Sequence, residues 1–245
     1  MNAIWLAAIT SGATSIGGLL TLRSRERLHL VLGLSAGLLL GLVAFDLSPE
    51  IYTHMGISLF GMPAVPMAFV AGFLVLHFFE KLFGGHESHD SHYEEGHTHA
   101  ENIAGVVGAL AMAGHVFMDG VALGVAYTVN HSLGLAVFLA LLVHAFSDGL
   151  NTVALLIKTG SWSQKAILLL LLDAAVRVSG AFLGHSVHFS ENSVALYLAF
   201  FSGFLLYIAT SHILPEAHAH HSSRLTMFST FIGVVVMWFI VKALG

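Results

Sequence analysis

The sequence lacks cysteine altogether and has few charged residues. Without cysteine there is no disulfide, no thiolate metal site and no thiol nucleophile, so a metal site would have to use His, Asp, Glu, Asn, Met or water. Only 9% of the 245 residues are charged, against about 25% in a typical soluble domain. Because 56% are hydrophobic and the mean hydropathy is +0.84, the composition excludes a soluble domain. It predicts an all-α polytopic membrane protein in which residues 1–245 form one membrane domain, with no nucleic acid as a partner.

Long apolar runs divide the chain into eight segments of the length that a transmembrane helix needs, about 20 residues. These predicted spans cover residues 2–22, 28–48, 62–83, 103–128, 134–157, 163–187, 192–213 and 225–244. The first segment has no charged stretch before it and no convincing cleavage site, so we expect it to be retained as span 1.

Basic residues fix the predicted orientation, because Lys and Arg favour the cytoplasmic side of a membrane. Seven of the nine Lys and Arg residues fall on one side of the eight-span plan, namely Arg23, Arg25, Arg27, Lys81, Lys158, Lys165 and Arg224. Both termini are therefore predicted to lie outside, in a plasma membrane or a bacterial inner membrane. The agreement among four loops also supports the number of spans.

Two copies of the pattern H-x-F-x-D-G lie in the middle of spans 4 and 5. His115 precedes Asp119 by four residues, and His144 precedes Asp148 by four. Residues four apart share a helix face, and polar groups in a membrane core are costly enough to indicate a function. Two imidazoles and two carboxylates suit a tetrahedral zinc site. The alternative is that each pair only hydrogen-bonds between helices and holds the bundle together.

The two motifs are predicted to meet at one depth, near the bilayer midplane. Spans 4 and 5 are joined by a short loop around Asn130, which makes them antiparallel neighbours. Gly120 and Gly149 are expected to let these two backbones approach closely. A divalent ion would neutralise both carboxylates, so we expect metal binding to be coupled to proton release.

A second shared pattern, Pro followed by Glu, closes spans 2 and 7 as Asp46-Leu-Ser-Pro49-Glu50 and His212-Ile-Leu-Pro215-Glu216. Since these spans run in opposite directions, spans 1–3 and 6–8 are predicted to form an inverted repeat around spans 4–5. Each proline is expected to break its helix and free carbonyl groups for a passing ion; a plain helix end is the alternative. Asp46 and Glu50 would mark an outer mouth. The inner mouth would consist of His212, Glu216, His218, His220 and His221.

Charged and metal-binding side chains also occur in span 6 and in the loop before span 4. Asp173 and Arg177 lie four residues apart, so an internal ion pair is predicted. The loop of residues 84–102 is too polar to form a core and is predicted to be a disordered cytoplasmic segment. Its histidines are His86, His89, His92, His97 and His99. We interpret the loop as a cytosolic segment that binds or senses metal weakly and that transport does not need. The alternative is a solvated linker.

Together these features resemble the ZIP (Zrt/Irt-like) family of metal transporters over the whole chain. The resemblance rests on the eight spans, the outside termini, the His-rich loop between spans 3 and 4, the motifs in spans 4 and 5, and the Pro-Glu ends of spans 2 and 7. It implies that the protein imports divalent metal towards the cytoplasm, with Zn²⁺ first and Cd²⁺, Fe²⁺ or Mn²⁺ as further substrates. It also implies a homodimer and an elevator-like movement of spans 1, 4, 5 and 6.

The motifs also depart from the family pattern, which resembles H-N-x-P-E-G in span 4 and H/Q-E/D-x-P-E-G in span 5. The resemblance carries over four ligands: His115, Asp119, His144 and Asp148. Val116 and Ala145 stand where the family has ligands of a second metal, and Arg177 falls near the place of an acid in span 6. The positive charge of Arg177 would replace that metal, so one site is predicted. The prolines are replaced by Met118 and Ser147, which would leave spans 4 and 5 straighter.

Two other functions remain open from the sequence. An intramembrane zinc hydrolase also buries His and Asp ligands, but it keeps a coordination position open for water, and four protein ligands leave none. A membrane sensor that transports nothing would need the His-rich loop, whereas a transporter would work without it.

Overall fold

The computed structural model describes residues 2–21, 28–83, 98–158, 162–187, 189–219 and 224–244, and most of them are helical. The long helices α1 to α8 correspond one by one to the predicted spans. They are α1 Ala3–Thr21, α2 Leu28–Leu42, α3 Ala64–Phe83, α4 Thr98–Val129, α5 His131–Lys158, α6 Trp162–Ser186, α7 Glu191–Ile208 and α8 Arg224–Leu244. Two of them continue beyond these bounds and keep their labels: α2 through a π-helical turn (Val43–Leu47) and a last turn (Ser48–Tyr52), and α7 through a π-helical turn (Ala209–Ile213) and a last turn (Leu214–Ala219).

Several of these helices are long and apolar enough to cross a membrane. In the described part of the chain, four stretches meet that description: His29–Tyr52, Leu168–Ser186, Glu191–Ile213 and Arg224–Ala243. The other long helices, α1, α3, α4 and α5, contribute shorter apolar stretches. A helix satisfies its own backbone N–H and C=O groups, which is the condition for an apolar chain in lipid. The protein is therefore a helical membrane protein.

The loop between spans 3 and 4 was predicted to cover residues 84–102, but α4 already begins at Thr98, so the loop ends earlier than expected. Four of its five predicted metal-binding residues, His86, His89, His92 and His97, lie outside the described residues. His99 belongs to α4, and its side chain also lies outside the described part.

The helices do not break at Pro49 and Pro215, contrary to the sequence-based expectation. Proline has no N–H to donate to the fourth residue before it. Here the residue before each proline donates its N–H five residues back, to Val43 in α2 and to Ala209 in α7. The wider π-helical turn accommodates the proline, which has no N–H to donate, and the helix continues for one more turn. Such turns inside helices occur frequently at functional sites.

Glycines bring the helices together in tight pairs. Gly17 of α1 and Gly149 of α5 face each other's helices, and Gly120 of α4 and Gly180 of α6 do the same. In each case the atom nearest to the missing Cβ is a backbone carbonyl oxygen of the partner helix. Any larger residue would therefore push the two backbones apart.

The expectation that Gly120 and Gly149 bring α4 and α5 together is wrong. Gly120 contacts α6 and Gly149 contacts α1. The reason is helical geometry: neighbouring residues point about 100° apart. A glycine that follows Asp119 or Asp148 therefore points away from the helix that the carboxylate faces.

The same kind of pairing joins α2 with α8 and α3 with α7. Gly37 and Gly233 form the first contact, and Gly72 and Gly203 form the second, again against backbone carbonyl oxygens. The helices thus divide into two sets. We call α1, α4, α5 and α6 the site bundle, and α2, α3, α7 and α8 the frame bundle. Between them, α5 packs against α2 and α8.

A short hairpin connects α2 with α3. Its strands, β1 (Ser58–Leu59) and β2 (Met62–Pro63), pair antiparallel with Leu59 opposite Met62. The turn between them consists of Phe60 and Gly61, both with positive φ, 52° and 76°.

Candidate metal centre

The centre of the site bundle holds the two predicted His/Asp pairs. The helix α4 supplies His115 and Asp119, and α5 supplies His144 and Asp148. All four side chains are buried, with exposed fractions of 7%, 0%, 1% and 6% in that order. One potential ligand atom from each residue lies within 4.8 Å of the other three. The structure therefore brings the four residues together as the spacing predicts.

The distances among the four residues fit one small cation. The two His Nε2 atoms are 2.9 Å apart. The Nε2 of His115 lies 3.6 Å from Asp119 Oδ2 and 3.8 Å from Asp148 Oδ2, and the Nε2 of His144 lies 3.4 Å from Asp148 Oδ1. Ligands about 2.05 Å from a tetrahedral zinc ion lie about 3.3 Å from one another. The site is therefore close to the size that zinc needs.

Unused hydrogen-bonding capacity marks the same place. Among the described residues, Asp119 Oδ1 and Asp148 Oδ2 are buried and accept no hydrogen bond, and Asp148 Oδ2 has only ion-pair contacts. Buried carboxylate oxygens in proteins normally have a partner, and a charge in a membrane core is especially costly. A cation between the pairs would satisfy these oxygens. This fit depends on the donors present, two nitrogens and two oxygens, which suit zinc and tolerate related divalent ions.

Arg177 of α6 lies against both carboxylates of the quartet. Its guanidinium is 3.3 Å from Asp119 Oδ2 and 3.5 Å from Asp148 Oδ2, and only 1% of the residue is exposed. The predicted ion pair with Asp173 is present, at the longer distance of 3.9 Å. The guanidinium thus sits among three carboxylates, two of them the candidate ligands.

Val116 and Ala145 offer no donor at the positions next to the histidines. Both side chains are fully buried, at 0% exposure. Among the side chains of α4 and α5 that the structure describes, the quartet therefore remains the group that could hold a metal ion together.

Two residues of the frame bundle that the sequence analysis missed contact the site region. The ring of Phe204 stacks on His115, with centroids 5.4 Å apart and planes at 23°. The hydroxyl of Tyr197 donates to the backbone carbonyl of Met118, at 2.9 Å. Phe204 lies in an ordinary apolar run and could not have been found from sequence. Tyr197 is a polar aromatic residue in a span, which gave a weak indication.

The mouth residues that the structure describes do not gather into a further cluster. Asp46 lies in the π-helical turn of α2, and its Oδ2 is buried without a hydrogen-bond partner among the described residues. Glu50 follows one turn later and is half-buried. His212 lies in the π-helical turn of α7, exposed, 5.7 Å from the ring of Tyr207.

At the inner mouth, His218 Nδ1 lies 2.8 Å from the carbonyl of Leu214. His220, His221 and the side chain of Glu216 lie outside the described residues. Within the described part of the chain, the quartet is the one group of three or more His, Asp or Glu residues that could hold a metal ion together.

Comparison with known proteins places this arrangement in a family. Residues 84–241 match the family model described as ZIP zinc transporter. The chain is 36% identical to the zinc transporter ZIP4 of Homo sapiens over 106 residues, which is 43% of this chain and 16% of that protein. It is 28% identical to the zinc transporter ZIP9 of Micropogonias undulatus over 172 residues, or 65% of this chain and 54% of that protein.

A third relative is the zinc transporter ZIP10 of Danio rerio, 32% identical over 103 residues, or 42% of this chain and 12% of that protein. The chain thus spans about half or less of the length of these relatives. The family model nevertheless covers well over half of the chain and includes both histidine motifs. The chain belongs to the ZIP family of zinc transporters.

Proposed function

We propose that this protein carries divalent metal ions, zinc first, across the membrane through the His115, Asp119, His144 and Asp148 quartet. The observation that supports the proposal most is the burial of two imidazoles and two carboxylates at zinc-like spacing inside an apolar helix bundle. Cd²⁺, Fe²⁺ and Mn²⁺ are further candidate substrates, because the nitrogen and oxygen donors accept them too. Family membership weighs against the intramembrane hydrolase, since the family is one of transporters.

We propose that the site holds one metal ion and that Arg177 occupies the place of a second. The guanidinium lies 3.3 and 3.5 Å from the two ligand carboxylates, where it supplies a fixed positive charge. Val116 and Ala145 add no ligands nearby. A second divalent ion would face both a missing ligand set and the repulsion of a buried cation.

The division into two bundles supports an elevator-like movement of the site bundle. All four proposed ligands and Arg177 belong to α4, α5 and α6, so one rigid unit could carry the ion. The frame bundle contributes contacts from outside that unit, such as Phe204 on His115. Sliding the site bundle along the frame would expose the same ligands first to one side of the membrane and then to the other.

An inverted repeat is consistent with the helix pairing. An inverted repeat would make the two halves of the protein equivalent, so that α1 corresponds to α6, α2 to α7, α3 to α8 and α4 to α5. Under this correspondence, the α1–α5 pair becomes the α6–α4 pair. Likewise, the α2–α8 pair becomes the α7–α3 pair. All four pairs are present, each with glycines at the contact. The matching π-helical turns before Pro49 and Pro215 fit the same correspondence, as expected for repeat-built transporters.

The direction of transport and the surroundings of the protein are part of the proposal. The charge pattern favours outside termini, and the family resemblance implies import towards the cytoplasm, which would put Asp46 and Glu50 at entry and His212 and His218 at exit. We expect a homodimer, and we expect the His-rich loop of residues 84–102 to be dispensable for transport.

Uptake of radioactive zinc into proteoliposomes tests the quartet. The double variant His115→Ala/His144→Ala removes both nitrogen donors while keeping both carboxylates and their contacts with Arg177. We expect zinc uptake to fall to the level of empty vesicles, with the elution volume in detergent unchanged. Uptake that persists in a folded double variant would contradict the site assignment.

His185→Ala is the matched control. His185 also lies in the site bundle, near the end of α6, and its ring is 6.4 Å from that of Tyr127. It is not a proposed ligand. We expect uptake close to that of the unmodified protein, so a loss in the control would show that any histidine removal damages the bundle.

A further inference from the structure

The hairpin between α2 and α3 holds an aromatic residue in a backbone conformation that suits glycine. Phe60 has φ of 52° and Gly61 has φ of 76°, so both residues of the turn have positive φ. Asn or Asp followed by Gly is the usual choice for such a turn. A bulky side chain is strained in this conformation. A strained residue usually has a function that offsets its cost in stability.

Packing inside the protein does not explain why Phe60 occupies that position. The residue is 89% exposed, more than any other large hydrophobic residue described. Its neighbours Leu59 and Met62 are opposite each other across the hairpin and are 48% and 51% exposed. The tip and one face of the hairpin therefore form a continuous apolar surface, which in water would favour aggregation.

The position of the hairpin in the chain indicates what covers this surface. The apolar stretch His29–Tyr52 ends shortly before β1, and α3 begins directly after β2. A loop of this length between two membrane helices stays at the membrane surface. Between Glu50 and Glu80 the sequence contains no Asp, Glu, Lys or Arg, so no charge keeps the hairpin away from lipid.

We propose that residues 58–63 dip into the bilayer surface next to the end of α2, with the ring of Phe60 between the headgroups and the upper acyl chains. Aromatic side chains are enriched at that depth. Leu59 and Met62 would rest on the acyl boundary, as the apolar face of an interfacial segment does. This contact would brace the end of α2, where Asp46 and Glu50 lie, against the membrane. Since the hairpin has no charge, its insertion should not depend on anionic lipid.

A single nitroxide label tests the depth of the hairpin, because a chain without cysteine gives no background labelling. The label is attached at Met62→Cys in the full-length protein, in phosphatidylcholine vesicles. Oxygen concentrates in the acyl region and a neutral nickel chelate concentrates in water. We expect the ratio of oxygen to nickel accessibility to be several-fold higher than for Asn192→Cys, an exposed position beside Glu191 on the same predicted side.

Adding Phe60→Asn to Met62→Cys separates anchoring from folding. Asn tolerates positive φ, so the hairpin is retained while the aromatic ring is lost. We expect the label to shift towards nickel accessibility, and we expect added phosphatidylglycerol to change neither variant. An unchanged ratio after Phe60→Asn would overturn the proposal, as would a water-like ratio at Met62→Cys. Protection from both reagents would also overturn it, since a protein surface, such as a second copy, would then cover the hairpin.

Discussion

The site bundle and the frame bundle are packed alike but differ in what they bury. Among the described residues, the site bundle buries five side chains that carry charge or bind metal: His115, Asp119, His144, Asp148 and Arg177. The buried polar side chains described in the frame bundle are Ser35, Ser202 and Thr226, which carry only hydroxyls. Both bundles use glycines against backbone carbonyls for their helix pairs. Close packing is therefore common to both bundles, whereas the buried charged and metal-binding side chains among the described residues are confined to the site bundle.

The frame bundle shows how a polar side chain is accommodated when it has no ion to bind. The hydroxyl of Ser202 donates to the carbonyl of Leu198 one turn earlier, at 2.7 Å. Its hydrogen-bonding capacity is satisfied by its own helix. The carboxylates of Asp119 and Asp148 each lie near the histidine one turn earlier on their own helix, at 3.6 and 3.4 Å, but the cation that balances them, Arg177, comes from another helix. Replacing Arg177 is therefore the most direct test of the difference between the two bundles.

Arg177→Met should have the largest effect on the folded protein. It leaves two buried carboxylates, Asp119 and Asp148, and the half-buried Asp173 without their cation, and breaking a buried ion pair typically costs about 3–5 kcal/mol of stability. We expect a lower midpoint of thermal unfolding in detergent without metal. Excess zinc should restore much of it, because a second divalent ion could then take the place of the guanidinium among the carboxylates of Asp119, Asp148 and Asp173, even without ligands at Val116 and Ala145. The zinc content measured by mass spectrometry should then rise above one per chain.

Arg177→Lys is the control for charge. It keeps the cation but loses the forked geometry, so we expect an intermediate loss of stability and a zinc content of one. Arg177→Met that is as stable as the unmodified protein without metal would show that the carboxylates do not depend on the guanidinium. The contrast between the two bundles would then lose its energetic basis.

The quartet could be predicted from sequence because its information is local. Two His/Asp pairs four residues apart, inside apolar runs, define one face on each of two neighbouring helices. The eight helices followed from length and hydropathy for a similar reason. The prolines were harder, since a missing N–H can be accommodated by a break or by a wider turn. The stretch around Pro49 does not distinguish between the two.

The contacts of Arg177 could not have been predicted fully, because they join three helices. Spacing gave the pair with Asp173 on the same helix, yet the shorter contacts are to α4 and α5. The prediction that Gly120 and Gly149 join α4 with α5 was wrong for the same reason. A residue's position around its own helix follows from sequence, but which helix lies on that side depends on the whole bundle.

Glycine contacts offer a smaller test that sharpens the comparison. Gly120→Ala in the site bundle and Gly203→Ala in the frame bundle would each bring a methyl group against a backbone carbonyl. We expect each to cost about 1–3 kcal/mol, as overpacking does. Only Gly120→Ala should also lower zinc uptake per folded protein, because it presses on the backbone of Arg177. Thermal unfolding and proteoliposome uptake measure the two effects separately.

Gly12→Ala controls for helix propensity. A Cβ at Gly12 would meet nothing within 4 Å, so the change should be neutral or stabilise α1 by up to about 1 kcal/mol. Equal losses of specific uptake in Gly120→Ala and Gly203→Ala would contradict the assignment of the metal-binding quartet to the site bundle alone.

The smallest predicted effect concerns the hydrogen bond between the bundles, from Tyr197 of α7 to the Met118 carbonyl of α4. If the site bundle slides along the frame, this bond exists in the observed position and is lost in the other. Tyr197→Phe should therefore remove about 1 kcal/mol from one state, a shift of about fivefold in the population ratio. Zinc uptake should change in rate or half-saturation, with stability nearly unaffected.

Tyr52→Phe is the control, because it removes the same hydroxyl from an exposed residue of the frame bundle and should leave uptake unchanged. If the two variants behave alike, the bond does not bias the movement, and the bundles are better described as one rigid body.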